Sequence, residues 1–336
     1  MSAISYKSYP VRLLILLLAL LLIWKAQALE SDKAENAKSH YISFMPYFET
    51  SIGGESEYVF IPASDNVTLS RLDYKETPIL KLCLDVQYEG PYLFMDINVQ
   101  DGISSLCGSM YDYDWLNRES DITDNTITNY SSHDCSLYRY YTAELKAGAK
   151  IPVYKFTLSP YAGCYYRYSY FNLMDGEYSY GTATDGVYSS YDSDSATTGT
   201  LTGKVMSLER NIIVSWIGFN AGFEMFDRLG FSADIAVSPF TYISSKDNHY
   251  GTTTYYLDVI KGFMSVYKAG LTARFYISPL NSLEIGYNAL FSLTMTGTGY
   301  AKKSLSSSAL YTKLTSSYSG ASFYHNNIYA GFRILL

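Results

Sequence analysis

Along the later part of the chain, apolar and polar residues alternate one for one. Leu229, Phe231, Ala233, Ile235 and Val237 alternate with Gly230, Ser232, Asp234, Ala236 and Ser238. Leu283, Ile285, Tyr287, Ala289, Phe291 and Leu293 alternate with Glu284, Gly286, Asn288 and Ser292. Near the end, Ile328, Ala330, Phe332 and Ile334 alternate with Tyr329, Gly331 and Arg333. A period of two puts one set of side chains on each face of a strand. A soluble antiparallel sandwich with one solvated face has the same alternation. Length separates the two readings, because many of these segments exceed the usual soluble strand of about 5–6 residues.

The pattern predicts ten strands, over residues 42–60, 70–88, 92–106, 136–150, 153–171, 203–222, 228–244, 254–277, 282–298 and 319–335. Glu89-Gly90-Pro91, Lys150-Ile151-Pro152, Asp227-Arg228 and Ser278-Pro279-Leu280-Asn281 form short links. Gly108 to Cys135, Asn172 to Thr202 and Ser244 to Thr253 form long polar ones. Short and long links alternate, as in an antiparallel barrel with turns at one end and loops at the other. In lipid the edge strands must pair, so the sheet closes. The expected fold is all-β, a ten-stranded antiparallel transmembrane β-barrel with long extracellular loops.

Composition agrees with that reading. The chain has 36 Tyr in 336 residues, yet its mean hydropathy is only −0.04. Aromatic girdles around a polar lumen account for both. Residues 1–28 read as a signal peptide: Lys7 and Arg12 precede the apolar run Leu13–Trp24, and Ala26-Gln27-Ala28 is a small-x-small cleavage site. Residues 29–41 read as a short periplasmic lead-in and 42–336 as the barrel. The formal charge is −7, and removing Lys7, Arg12 and Lys25 leaves about −10 on the mature chain. Such a balance argues against nucleic acid, which needs a basic stripe, and permits attraction of basic substrates. Cys83, Cys107, Cys135 and Cys164 permit three pairings, among which sequence does not choose. Cys107 with Cys135 would close a loop if both lie on one surface. The wide spacing does not suit a zinc knuckle or a CxxC redox site.

Two clusters carry candidate chemistry: Met110-Tyr111-Asp112-Tyr113-Asp114-Trp115 and Ser245-Lys246-Asp247-Asn248-His249-Tyr250. Residues two apart on a strand share a face, so Asp112 pairs with Asp114 and Asp247 with His249. His249 could take a proton from water while Asp247 orients the ring and favours its cation. Two close carboxylates titrate together, and one retaining a proton could polarise a carbonyl. Each motif alone also reads as a solvated acidic doublet or, for Asp112-x-Asp114, a calcium ligand pair. There is no HExxH motif, and His40, His133 and His325 are scattered.

These residues resemble the omptins, outer-membrane proteases of Gram-negative bacteria. Met110 to Leu116 is similar to the family's Asp-x-Asp-Trp motif, and Asp247-Asn248-His249-Tyr250 to its Asp-x-His-Tyr motif. Ser70 to Lys75 and Gly53 to Val59 resemble two further signatures, all four in order. A monomer is the default for a closed barrel, and the resemblance implies a ten-stranded barrel protruding from the outer membrane, its active site facing outward. It implies an endopeptidase acting on proteins or peptides, with Asp112, Asp114, Asp247 and His249 catalytic. The implied mechanism is direct attack by an activated water, without a covalent intermediate or metal. Lipopolysaccharide is the implied activating lipid, with Arg167, Lys155 and Arg139 as candidate headgroup contacts. Glu57 resembles a wall residue of the pocket for a basic side chain.

Two departures stand out. Ser245, followed by Lys246, occupies the place of a second pocket carboxylate, which should weaken any preference for Arg or Lys. The chain ends Ile334-Leu335-Leu336, without the terminal aromatic residue of the family. His133 resembles a family loop histidine and carries no assigned step. The main alternative function is a non-enzymatic surface barrel acting as adhesin or receptor; a porin is disfavoured, because ten strands leave a lumen filled by side chains.

Overall fold

The computed structural model describes residues 40–62, 67–103, 106–226, 228–304 and 309–336. The expected signal peptide and most of the lead-in lie outside them. Ten walls form a closed antiparallel ring, several of them built from two collinear segments. They are β1 (Tyr41–Phe60), β2 (Thr68–Glu89), β3 (Leu93–Gly102, then Leu106–Asp114), β4 (Asn129–Ala149) and β5 (Phe156–Tyr180). There follow β6 (Thr197–Met225), β7 (Leu229–Val237, then Thr241–His249), β8 (Thr254–Gly262, then Val266–Ser278), β9 (Asn281–Ser292, then Met295–Lys302) and β10 (Tyr318–Leu335). β10 closes on β1 from Ser43↔Leu335 to Phe60↔Tyr318. The breaks within walls do not leave the ladder open: Ile103 N bonds Leu80 O, Ser215 N bonds Phe240 O, and Leu293 N bonds Ser265 O. Backbone groups in lipid are thus satisfied within the protein.

The faces sort as the alternation requires. Ile42, Phe48, Ile52, Ile217, Ile235, Leu271, Leu283, Ile285 and Ile328 are exposed on the outside. Charged side chains that face the lumen, buried or half-buried, carry counter-charges: Lys81 meets Glu49 at 2.8 Å, Lys268 meets Glu144 at 2.8 Å, and Arg333 meets Asp85 at 2.9 Å. An unpaired charge there would cost several kcal/mol, about 3–5 by analogy with broken buried pairs. A cavity of about 930 Å³ fills the lumen toward the short-turn end. Above it, Arg167, Arg210, Glu55, Glu76 and His325, each no more than 3% exposed, cross the lumen. An apolar cluster of Leu72, Tyr74, Met110, Phe171, Leu173 and Leu208 adjoins them. This layer fills the bore with side chains and disfavours a through-channel.

The walls run further than their apolar alternation predicts. Stretches expected as long links, 108–135, 172–202 and 244–253, are largely strand, with β3 reaching Asp114, β5 reaching Tyr180 and β7 reaching His249. Beyond the apolar belt both faces are polar, so the hydrophobic period vanishes while Tyr and Thr still favour extended backbone. The connections at that end shrink to segments such as 115–128, which carries a short 3-10 turn at Leu116–Glu119, and 181–196. Cys83 is a buried thiol and Cys164 an exposed one. The proposed Cys107–Cys135 pairing involves a side chain outside the described residues; Cys135 stands opposite Gly108 in the ladder.

Candidate active site

Above the apolar belt, β3 and β7 present their acidic and histidine residues to the interior from different sides of the ring. Asp112 stands opposite Leu72 on β2 and Ser131 on β4; Asp114 stands opposite Ser70 and Asn129. Asp247 stands opposite Leu208 and Tyr256, and His249 opposite Met206 and Thr254. These are strand positions with backbone fixed on both sides, so the four side chains are held by ladders rather than by loops.

His249 Nε2 lies 2.5 Å from Asp247 Oδ2, and its ring packs edge-on against Tyr256 with centroids 5.3 Å apart. Burial pulls the imidazole pKa down, but the charge and hydrogen bond of Asp247 outweigh it, and Asp112 adds to the lift, leaving His249 at about 9. Burial, then the Asp114 charge, hold the Asp112 carboxyl well above the usual range, while His249 opposes them. Asp114 is also raised by burial, against hydrogen bonds from Ser70 and Asn129; Asn129 Nδ2 donates to its Oδ2 at 3.2 Å. Asp112 Oδ1 and Asp247 Oδ1 are buried with no protein hydrogen-bond partner. Asp112 and His249 therefore act on each other's proton affinity, and Asp112 and Asp247 each retain a carboxylate oxygen able to take a hydrogen bond.

Beside Asp112, Ser131 Oγ lies 3.0 Å from His133 Nε2. His133 Nδ1 lies 2.7 Å from the carbonyl oxygen of Asp175 and donates to it. Nε2 is then the acceptor for the Ser131 hydroxyl, and burial lowers the His133 pKa. His133 is thus tied to Ser131, which stands opposite Asp112 in the ladder, and to the backbone at Asp175.

Beneath the Asp247–His249 pair lies a second polar layer. Ser245 is two residues below Asp247 on the same face and stands opposite Arg210 on β6. Arg210 donates from Nη2 to Glu57 Oε1 at 2.6 Å and from Nε to Ser245 Oγ at 2.9 Å. Its Nη1 donates to Glu55, which also accepts from Arg167 at 2.5 Å. Asp258, bonded by Ser319, is raised to about 7 by burial and then by Glu57. Arg210 and Asp258 escape the sequence reading. The one signal for Arg210 is its position two residues before Ile212, on a face that also holds Met206 and Leu208.

Three expected contacts need correction. Arg167 points into the lumen, 1% exposed and paired with Glu55, so it meets no lipid headgroup; the alternation of β5 turns it inward. Lys246 points outward to Glu209 at 3.4 Å and adds no ammonium to the pocket. Lys155 lies in the short turn that follows Ile151–Val153, at the opposite end of the barrel from the acidic pairs. Arg139 does lie on the outer wall, its guanidinium 5.7 Å from the Tyr138 ring. Ligand atoms of Glu55, Glu76 and His325 cluster within 4.8 Å, but Arg167 donates to Glu55 and contacts His325, which makes the cluster a poor cation site.

Comparison with known proteins bears on the barrel and on both clusters. The outer membrane protease OmpT from Escherichia coli aligns with 88% of this chain and 97% of its own, at 17% identity and a TM-score of 0.75. The translocator domain of the autotransporter NalP from Neisseria meningitidis covers 94% of this chain and 95% of its own at 9% identity, with a TM-score of only 0.32. No curated protein sequence matches. The profile of the Omptin family matches residues 49–335, a span that takes in nine complete walls, most of β1, and both acidic clusters. With its fold and nearly the whole of its barrel matched in this way, the chain belongs to the omptin family of outer-membrane barrels.

Proposed function

We propose that this chain is an outer-membrane endopeptidase that hydrolyses peptide bonds of proteins or peptides at the cell surface. The observation that carries the reading is the 2.5 Å Asp247–His249 pair, whose imidazole feels the charge of Asp112, itself held above the usual carboxylate range by burial and then by Asp114. Water bound between them gives a proton to His249 as its oxygen attacks the carbonyl carbon. Asp247 stabilises the resulting imidazolium. The proton held by Asp112 stabilises the developing oxyanion. As the C–N bond breaks, the imidazolium returns its proton to the leaving amine. Burial, and after it the charge of Asp114, which Asn129 holds in place, favour the protonated form of Asp112.

The loop end with the acidic pairs faces the outside, as the alternation of short and long links supports. The protein acts as a monomer, since a closed ring leaves no edge to pair. Lipopolysaccharide is the activating lipid, and the outer-wall patch of Arg139, Lys204, Tyr138 and Tyr170 is its contact; Lys204 Nζ lies 5.5 Å from the Tyr170 ring.

The test is cleavage of a mixed peptide library by purified protein refolded with lipopolysaccharide. Asp112→Ala and His249→Ala each remove nearly all cleavage, a loss of about 10²-fold or more. Full activity in either variant defeats the mechanism, and dependence on an added metal ion replaces it with another. An intact barrel that cleaves nothing supports the adhesin or receptor reading instead.

A further inference from the structure

A substrate side chain next to the scissile bond that enters the lumen meets whatever lies below Asp247 and His249. The side chain of Ser245 lies two strand residues lower, a step of about 6.6 Å. At that level Arg210 ties Glu57 to Ser245, donating to Glu57 Oε1 at 2.6 Å and to Ser245 Oγ at 2.9 Å. The layer of Glu57, Arg210 and Ser245 is therefore the floor of the cleft.

The acceptors of that floor are already taken from inside. Glu57 Oε1 accepts from Arg210 at 2.6 Å, and Oε2 accepts from the Tyr74 hydroxyl at 3.3 Å. Arg210 uses Nε on Ser245, Nη1 on Glu55 and Nη2 on Glu57, and its side chain is 0% exposed on both recorded ion pairs. Glu55 is shared with Arg167. Glu55 and Glu57 thus face two guanidiniums and neither is free for a ligand, while the third carboxylate of the layer, Glu76, lies lower in the lumen against His325 at 3.3 Å. Asp258 receives the Ser319 hydroxyl at 2.5 Å and is not a full anion near neutral pH, so it offers a weak replacement. The neighbours of the floor, Leu72, Tyr74, Met110 and Leu208, are largely apolar.

We propose that Arg210 is a built-in occupant of the basic-residue pocket, and that the protease therefore cleaves beside uncharged side chains rather than beside Arg or Lys. The proposal rests on the peptidase reading and adds the substrate class to it. An incoming guanidinium would have to displace Arg210 from Glu57 or lie beside it as a like charge. An uncharged side chain meets neither obstacle. Arg210 is in this sense a specificity-determining residue that acts by filling a pocket.

Paired peptides that differ only in arginine or citrulline before the scissile bond isolate the charge at nearly constant shape. Their kcat/KM is measured on the full chain with lipopolysaccharide, for the native protein and for Arg210→Ser/Ser245→Asp. The native protein handles the citrulline peptide at least as well as the arginine peptide. The double variant reverses the order, with a shift in the ratio of about tenfold or more toward arginine, the scale of one charge-assisted pair. A native preference for arginine overturns the proposal, as does an unchanged ratio in a folded double variant.

Because loss of Arg210 leaves Glu55 and Glu57 short of a partner, Glu57→Gln/Arg210→Met provides a charge-balanced companion, expected to show no preference for arginine. If it gains such a preference, Glu57 is not the anion that Arg210 masks, and the proposed pocket is overturned. Should none of these proteins cleave any peptide, the peptidase reading fails by itself. Competitive binding of the same two peptides then decides the floor: arginine binding favoured by the native protein overturns the proposal, and arginine binding gained only by the Arg210→Ser/Ser245→Asp variant upholds it.

Discussion

Asp112 on β3 and His249 on β7 each change the other's affinity for a proton across the mouth of the ring. Asp112 raises the imidazole pKa, and His249 lowers that of the carboxyl. The acid and base of the proposed reaction are therefore one coupled system, and its pH dependence belongs to the group as a whole.

The acid limb of the kcat/KM profile tests the base. His249 reaches about 9 because Asp247 outweighs burial. The protonated ring stabilises the fold fully below the unfolded histidine pKa of about 6.5, and that stabilisation is lost as pH rises through the folded value. Cleavage, which needs the neutral ring, rises over the same interval. Asp247→Asn removes the largest counterweight to burial, so the limb moves to lower pH by about one unit or more while the maximal rate falls. A limb that stays in place means that another group accepts the proton.

Asp114 tests the other side of the cleft. Its charge is the second cause, after burial, of the raised Asp112 pKa. Asp114→Asn should let Asp112 ionise at lower pH, moving the alkaline limb of the profile downward. Asn129→Ala, which removes the 3.2 Å donor to Asp114 Oδ2, should raise the pKa of the acid pair and move that limb upward. Shifts of the same sign in both variants would break the assignment.

How far these residues could be found from sequence depends on which solvent surrounds them. Within the apolar belt, Leu283, Ile285 and Tyr287 face outward while Glu284 turns in, and strict alternation gives both the wall and its facing. At Tyr178, Ser179 and Tyr180 both sides are polar and the period carries no signal, although the strand continues. Asp112, Asp114, Asp247 and His249 were legible because short motifs carry them. Arg210 was not, because its partners Glu55, Glu57 and Ser245 lie about 150 and 35 residues away along the chain and meet it only when β1 and β7 reach the same level of the ring. Arg167 turns inward, against the expected headgroup contact, because a basic residue in a barrel wall faces lipid or lumen according to a one-residue choice of register.

The Lys81–Glu49 pair tests the paired-charge account of the lumen. The two side chains are 2% and 3% exposed and 2.8 Å apart. Lys81→Met strands the carboxylate and should cost about 3–5 kcal/mol in urea unfolding in lipid. Gln100 Nε2, which donates to Glu49 at 3.3 Å, limits the loss. Glu49→Gln/Lys81→Met should recover most of it. A double variant as unstable as the single one would mean that packing, not charge, sets the cost.

The closing seam makes a sharper steric demand. Gly53 on β1 stands opposite His325 on β10, beside a register shift between Ser51 and Gly53. A Cβ at Gly53 would lie 2.2 Å from the Tyr324 carbonyl oxygen, whereas one at Gly222 on β6 would meet nothing nearer than Thr157 O at 3.9 Å. Backbone, not a flexible side chain, blocks the first position, so Gly53→Ala must push β10 away from β1 where His325 and Arg167 meet. The expected cost is about 1–3 kcal/mol, with slower barrel closure during refolding. Gly222→Ala should stay within about 0.5–1 kcal/mol of the parent. Heat-modifiable migration on gels and urea midpoints in the same lipid compare the two. Equal midpoints would mean that the seam yields more easily than the close approach of its backbones implies.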